Sequence, residues 1–225
     1  MKTHPRPATA MAIAALAAAC LAGCASLQQT RTGSLPVYAP ATSDHPYRSR
    51  GLRLPGLRPQ WSPDRFFVEP VGYQPVPGTP YLPPSDVAAL QAGYRDDLRR
   101  VFASQLAEAA SPGPDVAVIR ATITGVAKAN PLLNGVTMAV ALVPVTAGGA
   151  TSEAEVVDGA TGEPVAVLQG VANGGRNFLG GPVGYLSSLG QARRALARQA
   201  RELGDLALPQ REDRASPRTT AAGQP

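Results

Sequence analysis

The residue types from which catalytic and metal centres are most often built are scarce in this chain. Of 225 residues, two are cysteine, two are histidine and one is tryptophan, and only 16% are charged. His4 falls in a stretch that reads as a leader, and His45 then stands alone, so neither a histidine metal pair nor a Ser-His-Asp triad can be assembled. Ser187 and Ser188 lie in Gly184-Tyr185-Leu186-Ser187-Ser188-Leu189-Gly190. That run lacks the Gly-x-Ser-x-Gly spacing of a nucleophile elbow, and the serines read as helix caps. Gly174-Gly175-Arg176-Asn177 and Gly180-Gly181 make a Gly-rich loop, but no Gly-Lys-Ser/Thr follows to cradle phosphate. Catalytic residues, metal ligands and cofactors are therefore expected to number none.

What is present begins with Leu21-Ala22-Gly23-Cys24, which has the form of a lipobox. Ahead of it, Lys2 and Arg6 make a basic start and Ala8 to Ala19 a small apolar run too short to span a bilayer, as in a cleaved export signal. Residues 1–23 are expected to be removed and Cys24 to be acylated. Cys20, preceded by three alanines, fits the box less well and leaves with the leader. Several acyl chains on one cysteine make a durable anchor, because each buried methylene contributes about 0.8 kcal/mol. Ala25 follows the cysteine where an Asp would favour the inner membrane in enteric bacteria, so the periplasmic face of the outer membrane is the expected location. Loss of the leader leaves 19 basic against 16 acidic residues. That near balance and the compartment exclude nucleic acid as a partner.

Residues 24–60 carry Pro, Arg, Ser and Gly without periodicity and are expected to form a flexible lipidated tether. A single domain is expected over 61–207, with a disordered tail over 208–225. Phe66 to Val71 is strand-like, with Pro70 marking an edge or a bulge, and Trp61 is expected to pack on the domain. Ser85 is a candidate N-cap for a helix of about six turns carrying Val87, Leu90, Tyr94, Leu98, Val101, Phe102 and Leu106 on one face. Asp115 to Val126 alternates, with Ala117, Ile119, Ala121 and Ile123 facing in. Ala150 to Val157 and Pro164 to Val171 form a hairpin across Asp158-Gly159-Ala160-Thr161-Gly162, with Ser152, Ala154 and Val156 inward and Thr151, Glu153 and Glu155 outward. The outward pair Glu153 and Glu155 could serve as acid and base or bind a cation, but alternation puts them on a solvated face, where carboxylates need no function. Ser188 to Leu203 reads as a second helix with Gly204 at its C-cap. The expected architecture is an α/β (α+β) two-layer sandwich, a sheet of four or five strands with two helices on one face in the order β-α-β-(β)-β-β-α.

The sequence Pro112-Gly113-Pro114-Asp115, then Ala129-Asn130-Pro131-Leu132-Leu133-Asn134, Pro144 to Ala150, Glu153-Ala154-Glu155 and Asp158-Gly159-Ala160-Thr161-Gly162-Glu163 resembles the domain-of-unknown-function 3313 family of bacterial lipoproteins. The resemblance runs from about Ser62 to Leu206 and is most specific in its middle third. It departs at the last helix, where the family tends to carry a Trp. It implies an envelope lipoprotein with no assigned activity.

Two apolar stretches stand out. Ala129 to Ser152 contains no charged residue, but Pro131, Asn134, Gly135 and Pro144 interrupt it, which favours a loop and a buried strand over a membrane span. The Gly-rich loop carries Phe178, Leu179, Val183, Tyr185 and Leu186. Leu132, Leu133, Phe178 and Leu179 are the candidate interaction patch. The expected function is that of a non-enzymatic accessory or structural lipoprotein, held to the bilayer through Cys24 and binding an unidentified envelope protein. The alternative is a carrier of an apolar or lipid ligand that uses the uncharged stretch as a pocket wall.

Overall fold

The computed structural model describes residues 27–40, 47–54, 61–128, 148–173 and 189–208. Cys24 with its box residues Leu21, Ala22 and Gly23, both candidate patch pairs, His45, Ser187, Ser188 and the tail 209–225 lie outside the described residues.

In chain order the elements are β1 (Arg50–Arg53), β2 (Arg65–Val68), β3 (Gly72–Tyr73), α1 (Pro84–Phe102), β4 (Ala107–Glu108), β5 (Val116–Ala127), β6 (Gly149–Asp158), β7 (Pro164–Asn173) and α2 (Gly190–Ala207). They form one mixed sheet in the order β1-β7-β6-β5-β2-β4, with β3 also paired to β5. Along β5, β6, β7 and β1 neighbours are antiparallel, whereas β2 and β3 run parallel to β5 and β4 parallel to β2. The α+β class is as expected, but among the described residues the sheet has seven strands rather than four or five. The additional strands are two to four residues long, too short to display an alternation.

Pro70 has the consequence its type dictates. Val68 pairs with Ile119 and Gly72 with Thr122, so four steps on the β2–β3 side match three on β5. The surplus residue is a bulge around a proline that has no amide to give the ladder.

Alternation along the three long strands sorts residues to two faces. Ala117, Ile119, Ala121 and Ile123 of β5, Ala150, Ala154 and Val156 of β6, and Ala166, Leu168 and Ala172 of β7 face both helices and share one apolar core with them. Leu90, Tyr94, Leu98 and Phe102 supply the stripe of α1, and Ala192, Leu196, Ala200 and Leu203 that of α2. Each large side chain buried this way contributes about 1.5–3 kcal/mol. Trp61 packs at the margin of this core.

Three boundaries differ from expectation. Helix α1 starts at Pro84 with Pro83 at the cap position and no side-chain cap, so Ser85 lies inside the first turn. Prolines there leave fewer amides needing an acceptor, which makes a hydroxyl cap dispensable. The same helix ends at Phe102, and a turn over Ala103 to Gln105 carries buried Leu106 into β4. Gly204 is within α2 and does not end it. A Cβ on Gly204 would sit 2.3 Å from Cγ1 of Val101, so this glycine sets how closely α2 crosses α1.

The largest correction concerns the tether. Residues 27–40 and 47–54 do not form a free linker: β1 pairs with β7, and the segment from Leu27 to Pro40 lies against the sheet face opposite the helices.

Candidate functional site

Glu153, placed outward by alternation, is only 1% exposed. One carboxylate oxygen accepts from the Thr30 hydroxyl at 3.1 Å and the Thr32 amide at 2.8 Å. The other accepts from the hydroxyls of Thr32 at 2.9 Å, Ser34 at 2.6 Å and Tyr38 at 2.8 Å. Five donors from one nine-residue stretch thus converge on a single side chain. Burial pushes this carboxyl up, but Ser34, the Thr32 amide, Tyr38 and the Thr32 hydroxyl together outweigh it and hold the pKa below its ordinary value. The group is therefore an anion whose lone pairs are occupied.

The segment from Leu27 to Pro40, a strap across the sheet, is fixed around this point by further bonds. Tyr38 accepts from the Gly33 amide at 2.7 Å, and the Arg31 guanidinium lies 5.4 Å from the centre of its ring. The Thr30 hydroxyl is 2.7 Å from that of Thr124, which donates to Thr151 at 3.1 Å, and Gln169 donates to the Thr30 carbonyl at 3.0 Å. These polar residues of β5, β6 and β7 are buried because the strap covers them.

Glu155, two residues along the same face, is also buried, at 6% exposure. Burial raises its pKa, with Arg120 opposing the shift and Glu69 adding to it. Arg120 bridges the two carboxylates, 3.0 Å from Glu69 and 3.5 Å from Glu155. The expectation that both glutamates face solvent is thus overturned. Alternation assigned their face correctly, and a segment more than 110 residues earlier in the chain covers it.

Under the helices, Tyr94 lies 3.0 Å from the Ser152 hydroxyl, which donates to Gln199 at 2.6 Å; Gln199 in turn donates to the Ala150 carbonyl at 2.9 Å. This closes a buried polar network that holds both helices to β6. Among the described residues no group of three or more His, Cys, Asp or Glu is arranged to hold a metal, and no helix is long and apolar enough to cross a membrane.

A cleft of about 540 Å³ opens where the strap meets the ends of β5 and β6, between Leu27, Val76, Thr79, Val126, Lys128 and Thr151. A second, of about 640 Å³, lies between β1 and α2, with Leu168 and Val171 on its floor and Arg48, Arg198 and Glu202 around it. Sequence reasoning missed Thr30, Thr32, Ser34 and Tyr38. The one available signal was local: hydroxyl residues at every second position from 30 to 34, with Leu35 and Tyr38 following in a stretch otherwise poor in large apolar groups.

A family model described as "Protein of unknown function (DUF3313)" matches residues 56–203. No curated protein matches the sequence. Among solved structures, the chain is similar to the PelC dodecamer from Paraburkholderia phytofirmans, at 11% identity and a TM-score of 0.42, covering 72% of this chain and 98% of that one. It is also similar to the hypothetical protein CT253 from Chlamydia trachomatis, at 15% identity and a TM-score of 0.33, covering 63% and 94%. Both likenesses are too slight to carry an inference about binding or assembly.

Proposed function

The chain belongs to the DUF3313 family, and from that premise we propose that it is a lipid-anchored protein of the periplasmic face of the outer membrane that works by binding and not by catalysis. The observation that carries this reading is the employment of Glu153. It is one of the two carboxylates that sequence alone offers for acid-base work, and all five of its hydrogen bonds hold the segment that follows the lipobox. A general base needs a free lone pair directed at a substrate, and a general acid needs a proton near neutral pH. A saturated carboxylate with a depressed pKa offers neither. Glu155 is engaged with Arg120 in turn. The partner in this reading is a further envelope protein, met through the apolar sequence at Leu132-Leu133 or Phe178-Leu179.

The test is metabolic labelling with palmitate followed by membrane fractionation. The unaltered chain should carry label and sediment with outer membrane, whereas Cys24→Ala should lose the label and leave the outer-membrane fraction. Photoreactive residues at Leu133 and Phe178 should give one dominant protein adduct in living cells. Label retained by Cys24→Ala, or lipid adducts alone, would count against the reading, the latter in favour of a carrier.

A further inference from the structure

The strap fixes which end of the domain lies next to Cys24. Ala127 pairs with Gly149, and Gly149 with Asn173, so β5 and β7 end and β6 begins at one common edge of the fold. Leu27 is at that same edge: it lines the cleft with Val126 and Lys128, and its Cδ2 lies 3.7 Å from where a Cβ on Gly125 would stand. Cys24 is three residues earlier, which limits the acyl anchor to about 10 Å from this edge. A free linker over residues 24–60 would instead allow a reach of about 120 Å. By fastening Thr30, Thr32, Ser34 and Tyr38, Glu153 removes nearly all of that freedom.

The chemistry of the edge suits a bilayer surface. Tyr81 is 81% exposed there, and the exposed Lys128 ammonium donates to its carbonyl at 3.2 Å. Tyrosine and lysine both favour the membrane interface, the one for its amphipathic ring and the other for a long apolar stem under a charge. The stretches that meet here, 27–32, 74–85, 124–128 and 148–151, contain no Asp or Glu, while Arg31 and Lys128 are exposed. The opposite edge carries Asp64, Asp115, Asp158 and Glu163 around the β6–β7 hairpin, with Arg65 among them and Glu108 paired to Arg99 at 2.7 Å. Twelve residues of β5 separate the two edges by about 40 Å.

We propose that the edge formed by Leu27, Val76 to Tyr81 and Val126 to Lys128 rests on an anionic phospholipid surface, with the β6–β7 hairpin directed away from it. This orientation rests on acylation of Cys24. The test uses the acylated full chain in phosphatidylethanolamine–phosphatidylglycerol vesicles, with an environment-sensitive fluorophore on Tyr81→Cys or on Ala160→Cys and a quencher carried on the lipid headgroups. Fluorescence should be lost at position 81 and retained at 160. A Gly-Ser spacer of twenty residues inserted between Ala25 and Ser26 leaves the domain intact and should abolish the loss at 81. Equal quenching at both positions, or at neither, in protein whose Cys24 is acylated by mass spectrometry would overturn the orientation alone. An unmodified Cys24 in protein recovered from cells would overturn the lipoprotein reading beneath it.

Discussion

Glu153 and Glu155 occupy equivalent places on one strand face, yet their titrations act on stability with opposite signs. The folded pKa of Glu153 is depressed by its donors against the upward push of burial. Its contribution is therefore complete above the unfolded carboxyl pKa and disappears as pH falls through the folded value. Glu155 is raised, chiefly by burial, so its charged form is penalised in the fold and stability falls as pH rises from the unfolded to the folded pKa. Replacing Glu153 with Gln removes the charge and turns an NH2 group toward the hydroxyls of Ser34 and Tyr38 or the amide of Thr32. The expected cost at neutral pH is about 2 kcal/mol, the scale of a lost hydrogen bond to a charged group. Glu155→Gln should leave neutral-pH stability unchanged or slightly higher, since Arg120 keeps Glu69. Urea denaturation of both variants at acid and neutral pH checks the pair, and equal destabilisation by the two would refute the distinction.

At the scale of elements, the closest approach is between α1 and α2 at Val101 and Gly204. Glycine inside a helix is ordinarily unfavourable by up to about 1 kcal/mol relative to alanine. Here an alanine methyl would lie 2.3 Å from Cγ1 of Val101. Gly204→Ala should therefore destabilise, by about 1–3 kcal/mol as for an overpacked core, and Val101→Ala in the same chain should recover part of the loss. A rise in the thermal midpoint of the single variant would show that the helices can part at no cost. Gly204 also marks where sequence reasoning stops short. A glycine after the last periodic apolar residue is the ordinary sign of a helix end, and only the burial of Ala207 and Leu208 beyond it reveals that α2 continues. The long elements α1, α2, β5, β6 and β7 were legible because each repeats its period several times. β1, β3 and β4 were not, since strands of two to four residues contain at most two repeats and are held by their neighbours. The Glu153 clasp was half legible: alternation gives the face of a side chain, while the segment covering it lies 121 residues away at Thr32 and carries no pattern that pairs the two.

Taken whole, the molecule has a mainly apolar side and a more polar side of one sheet, and they need not fail together. The helix side buries Leu90, Leu98, Phe102, Leu196 and Leu203 completely. The strap side buries Thr124, Thr151, Glu153 and Gln169, groups that water can satisfy if the strap departs. A chain starting at Tyr47 retains β1 and every element of the helix-side core but lacks all five donors to Glu153. It should fold, with reduced stability and with its helix-side amides still protected from exchange. The Glu153 carboxyl should return toward its ordinary pKa, because both the burial that raises it and the donors that lower it are gone. Carbon-13 NMR titration of that carboxyl reports the change directly. If its pKa stays depressed in the folded truncated chain, the anion is held by the sheet itself. If the chain fails to fold, the strap is part of the core and not a cover over it.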